Sequence, residues 1–73
     1  GLTLTFEEFI ENIIGRRERF TTYVIVTPKV FDSYLNPIER LKKVAEKLVV
    51  ISIQEENLDL LSNDIIKYSG RND

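Results

Sequence analysis

Apolar positions along this chain alternate between helical spacing and near-continuous β-forming runs. Phe6, Phe9, Ile10, Ile13 and Ile14 recur on one face of a helix, and Thr5 with Glu8 forms a capping box at its start. Glu7 and Glu8 sit where the helix dipole favours negative charge, and Gly15 supplies the stop. Thr21 to Thr27 is then a β-branched strand ended by Pro28, and Lys29 to Leu35 predicts a short helical turn with Val30, Phe31, Tyr34 and Leu35 as its apolar positions.

A second amphipathic helix is predicted from Asn36 to about Leu48. Asn36 reads as its N-cap, Pro37 as its first helical residue and Glu39 as the acid three residues past the cap. Ile38, Leu41, Val44, Ala45 and Leu48 make its buried face, whereas Glu39, Arg40, Lys42, Lys43, Glu46 and Lys47 read as a solvated face. A second apolar strand runs from Leu48 to Ile53 and leaves through the Gln54-Glu55-Glu56-Asn57 turn. Leu58, Leu61, Ile65 and Tyr68 then fall on the stripe of a last helix ending at Gly70. Within it, Ser62-Asn63-Asp64 reads either as a break with a second cap or as a polar strip on one continuous helix. Arg71 to Asp73 reads as a frayed end.

The order α-β-α-β-α predicts a small α/β domain. It is built on a right-handed βαβ unit, with two adjacent parallel strands in a short sheet and helices on both faces. Two strands are too few for a comfortable independent sheet, and a chain of 73 residues removes only roughly 60% of its unfolded surface from water. With no Cys and no His, disulfides and the usual zinc ligands are not available as reinforcement. The chain, which begins at Gly1 and contains no Met, therefore reads as one domain over residues 1–73 that is excised from, or completed by, a larger assembly. This makes a non-catalytic interaction or regulatory role the leading expectation, with self-association or packing within a larger protein. Phe6, Phe9 and Ile13 are the candidate interface, and the alternative for their helix is plain packing on the sheet.

Charge narrows the partners. The net charge of −2, with both signs interspersed, provides no overall field for nucleic acid or an anionic membrane. No apolar run approaches the ~20 residues of a membrane span, so a cytoplasmic, intracellular protein is expected. Abundant Ile, Glu and Lys without Cys, Met, His or Trp suits a thermophile. The local exception is Arg16, Arg17 and Arg19 beside Phe20 and Tyr23. They answer the helix C-terminal dipole or an acidic protein, or they bind a phosphate backbone while an aromatic stacks on a base, which makes a small nucleic-acid-binding domain a further alternative.

The residue inventory removes thiol and imidazole chemistry, and Gly1, Gly15 and Gly70 are too isolated to form a phosphate loop. Carboxylates remain: Asp32 after the first strand, and Glu55, Glu56, Asp59 and Asp64 after the second. Around them Tyr23-Val24-Ile25-Val26-Thr27-Pro28-Lys29-Val30-Phe31-Asp32-Ser33-Tyr34 resembles the PIN-domain segment in which a strand ends in Thr-Pro or Val-Pro and a short helix carries an acid. A connecting helix, an apolar strand and the stretch Leu61 to Ser69 follow in the same order, so the resemblance spans roughly Phe20 to Ser69. It implies an α/β fold and, in many members, a ribonuclease whose acids hold Mg²⁺ or Mn²⁺ beside the scissile phosphate. Asp32 and Asp64 would be the catalytic, metal-holding candidates here. The chain lacks the family's opening strand with its early Asp, carries Ser33 where Glu is usual, with Asp32 beside it, and has Ser62 or Asn63 in the best register for the later acid, where a shift of one or two residues would place Asp64. The resemblance thus implies a related fold, or a fragment or degenerate relative of the nuclease.

Overall fold

In the computed structural model, residues 3–70 are described. Helix α1 (Phe6–Gly15) leads to strand β1 (Thr22–Thr27), and a 3-10 turn at Asp32–Tyr34 runs straight into helix α2 (Leu35–Val44). Strand β2 (Lys47–Ser52), a second 3-10 turn at Leu58–Leu60 and strand β3 (Ile66–Ser69) complete the order. The strands form one open sheet, β1-β2-β3, with both pairs parallel. The α/β class and the βαβ unit, β1-α2-β2, are as the sequence predicts.

Helix α1 begins as its local chemistry dictates. The Glu8 amide donates to Thr5 Oγ1 at 3.1 Å and the Thr5 amide donates to Glu8 Oε1 at 3.0 Å, completing the capping box. The helix ends at Gly15, but the left-handed backbone that usually follows a helix is taken by Arg17 (φ 54°) rather than by that glycine. Helix α2 starts earlier than expected. It continues from the 3-10 turn with Tyr34 at its cap, so Asn36 is an exposed helical residue and no capping side chain.

The expected last helix is replaced by the second 3-10 turn and by β3. Leu58, Leu61 and Ile65 are buried, as a core stripe should be, but Tyr68 is exposed and Ile66 to Ser69 alternate exposed and half-buried with the period of a strand. Pairing Val49 to Ser52 with Ile66 to Ser69 satisfies backbone groups along the open side of β2, which a helix at this position would leave bare. Ser62-Asn63-Asp64 is the break, with the Ile65 amide closing a turn on the Ser62 carbonyl at 3.1 Å. The frayed end expected at Arg71 to Asp73 lies outside the described residues.

A single core holds Ile10, Val30, Ile38, Leu41, Leu48, Val50, Leu58, Leu61 and Ile65. Both helices and the β2-β3 connection contribute to it from the same side of the sheet, so the expectation of helices on both faces is corrected. The Cα atoms span 38 × 32 × 17 Å, a slab with depth for one sheet and one layer of cover. Several charges read as a solvated face instead tie α2 to its neighbours. Arg40 Nε donates to Glu11 at 2.7 Å and Arg40 Nη2 to Glu7 at 3.1 Å, while Lys42 pairs with Asp64 at 3.6 Å. The hydrogen bond to Glu11, with that to Glu7 behind it, raises the guanidinium pKa further, although partial desolvation works against this.

Candidate functional site

In a parallel sheet, residues in register share a face, and the register divides this sheet sharply. Tyr23, Ile25 and Thr27 stand beside Leu48, Val50 and Ser52 on the covered face. The opposite face carries one row of Val24, Val49 and Ile66 and a second of Val26, Ile51 and Tyr68. Val24 is 55% exposed, Val26 72% and Tyr68 59%, and Ile53 just past β2 is also exposed. Nothing among the described residues covers this face. Parallel sheets are ordinarily buried on both sides, which makes an uncharged apolar patch across three parallel strands the outstanding surface of the molecule.

Strand β1 is also a free edge. From Thr22 to Thr27 it contains no charge and no proline, the two commonest means of discouraging edge pairing. Phe6, Phe9, Ile10 and Ile13 of α1 form an apolar groove along this edge together with Val24 and Val26. The predicted interface residues thus meet the same strand. Phe9 is half exposed, Ile13 half-buried, and Phe6 is held inward by stacking on Tyr34 with ring centroids 3.9 Å apart.

The candidate acids are not brought together. Asp32 follows β1 and Asp64 precedes β3, and because the strands are parallel these positions lie at opposite ends of the sheet. Asp32 Oδ1 accepts a hydrogen bond from Asn57 Nδ2 at 2.9 Å, and Asp64 faces Lys42. Glu56 is paired with Lys29 at 3.2 Å, and the Lys29 ammonium also lies 5.3 Å from the centroid of the Phe31 ring. Among the described residues there is no group of three or more carboxylates arranged to hold a metal ion. Asp32 and Asp64 are thus held apart, and each has a local structural partner.

Arg16, Arg17 and Arg19 sit in the α1-β1 connection, at the end of the sheet away from Asp32. Between them Glu18 accepts a hydrogen bond from the Tyr23 hydroxyl at 3.2 Å. No helix of the described residues is long and apolar enough to cross a membrane. Comparison with protein-family models, curated proteins and solved structures finds no match. The bare face escaped sequence reasoning because Val24-Ile25-Val26 and Val49-Val50-Ile51 are apolar at every position, so their pattern does not distinguish the covered side from the open one.

Proposed function

We propose that this chain is a non-catalytic interaction domain that self-associates through the uncovered face of its parallel sheet. The observation that carries this reading is the pair of apolar rows, Val24-Val49-Ile66 and Val26-Ile51-Tyr68, open to solvent where a parallel sheet needs cover. A second copy fits because the face is uncharged from Val24 to Tyr68. In a two-fold arrangement with antiparallel strands, the Lys47 ammonium groups at the margin stand at opposite ends of the contact.

The size of the patch favours weak, reversible association. A wholly exposed Val or Ile offers roughly 60–120 Å² of apolar surface, so these partly exposed side chains with Ile53 would bury on the order of 200–400 Å² per protomer. Standard stable interfaces bury about 800 Å² per partner. The contact therefore belongs to the exchanging class unless the β1 edge and the α1 groove join it.

Light scattering coupled to size exclusion across a dilution series, with the melting temperature followed at each concentration, tests this. A dimer whose melting temperature falls on dilution supports the reading, and Val26→Lys should yield a folded monomer. A wild-type monomer at all concentrations, with a melting temperature independent of dilution, overturns self-association.

A further inference from the structure

We propose that the end of the sheet opposite Asp32 is a binding surface for single-stranded nucleic acid, with Phe20 as the base-stacking platform and Arg16, Arg17 and Arg19 as phosphate contacts. Three independent features converge there. Phe20 is 85% exposed, the most exposed large apolar side chain among the described residues. Its backbone is left-handed (φ 57°), and Arg17 shares that conformation (φ 54°), although a Cβ makes it unfavourable in both. An aromatic ring presented bare to water on a strained connection does nothing for the core.

The second feature is a segregation of free positive charge. Among the described cations, Lys29, Arg40 and Lys42 are in ion pairs and Lys67 donates to the Ser62 carbonyl. The cationic side chains that make no ion pair or hydrogen bond with the described residues are those of Arg16, Arg17, Arg19, Lys43 and Lys47. The three arginines precede β1, Lys47 opens β2 in register with Thr22, and Lys43 lies in the last turn of α2, which returns to the same end. The carboxylates at this end are Glu18, Glu46 and Asp64; Glu18 is engaged by Tyr23 and Asp64 is paired with Lys42. A chain with a net charge of −2 thus concentrates its uncompensated cations at one end.

The third feature is a shallow pocket beside the arginines. Ile13, Ile14, Tyr23 and Val44 provide apolar walls, and Arg17 and Arg19 stand at its rim with Glu18. Apolar surface flanked by guanidinium groups suits an unstacked base whose phosphates are held on either side. A duplex keeps its bases stacked on one another and offers Phe20 nothing to stack on. An acidic protein would use the arginines but has no particular need of an exposed ring. The surface meets the bare sheet face only at Lys47, and Phe20 and the three arginines lie outside the two apolar rows, so this inference does not depend on self-association.

Fluorescence anisotropy with labelled single-stranded rU and dT oligonucleotides, and with a duplex of similar length, tests the proposal at low and rising salt. Binding should favour single strands. Its log–log salt slope should be near −2, as expected for about three phosphate contacts at roughly −0.7 each. Phe20→Ala should weaken single-strand binding by about 5- to 150-fold with the slope kept, Phe20→Tyr should retain it, and each Arg→Ala change should reduce the slope by about 0.7. Lys29→Ala at the other end should change nothing, and circular dichroism of each variant confirms folding. No single-strand binding at low salt, equal binding of duplex with Phe20→Ala silent, or binding confined to acidic polypeptides would each overturn it.

Discussion

The carboxylate of Glu39 grips Ser62 twice, accepting the Ser62 amide at 2.8 Å on one oxygen and the Ser62 hydroxyl on the other. This joins the middle of α2 to the connection between β2 and β3, and it fixes the break after which the chain enters β3 rather than continuing as a helix. Glu39→Ala should destabilise the fold by about 1–3 kcal/mol, because a half-buried amide loses a charged acceptor. Ser62→Ala should cost less, about 0.5–1.5 kcal/mol, since the amide bond survives. Urea unfolding of the two variants and the wild type measures the order.

Phe6 and Tyr34 stack nearly parallel, with an interplanar angle of 17°, and Phe31 meets Tyr34 edge-on at 5.2 Å. The stack links α1 to the turn that begins α2. A double-mutant cycle of Phe6→Leu and Tyr34→Leu should give a coupling of about 0.5–1.5 kcal/mol beyond the loss of buried area. A coupling near zero would mean that the rings contribute by burial alone.

Asn57 is left-handed (φ 67°), and its Nδ2 donates both to the Val30 carbonyl at 2.8 Å and to Asp32 at 2.9 Å. Asn57→Ala loses both bonds and places an unassisted Cβ in that conformation, for a cost of about 2–3 kcal/mol. Asn57→Gly loses the bonds but relaxes the backbone, so it should be milder by about 1 kcal/mol. Thermal melts of the pair decide whether backbone or side chain dominates.

The pH dependence of α1 should follow Glu8. Hydrogen bonding to the Thr5 backbone, then to its hydroxyl, holds the Glu8 carboxyl below its ordinary value. A carboxyl depressed in the folded state contributes its stability fully above the unfolded pKa and loses it as pH falls through the folded one. The stability difference between wild type and Glu8→Gln should therefore be full at neutral pH, shrink below the usual carboxylate range, and be smallest in acid. Denaturant melts over that range check the sign.

The parts legible in the sequence were those settled within a few residues. The Thr5-Glu8 box starts α1 as read, and the β-branched run of β1 and the apolar run of β2 are strands within a residue of their expected limits. The arginines stand beside Phe20 in the sequence itself, but their lack of ion pairs and the return of Lys43 and Lys47 to the same end required the folded chain. Asp32 and Asp64 looked poised for one site because both follow strands in sequence order, yet the β2-β3 connection carries Asp64 back to the start of β3.

Local chemistry therefore determined where α1 begins and which of the first two runs are extended, because caps and β-branched torsions act over a turn or less, whereas the start of α2 was moved by the 3-10 turn before it. The tertiary structure decided that Ile66 to Ser69 is a strand, that the helices share one face and that Val24, Val26 and Tyr68 stay bare. Those outcomes depend on which backbone groups of β2 remain unpaired and which side of the sheet the connections cross. Such pairings join residues far apart in the chain, and an all-apolar strand carries no mark of which side will be covered.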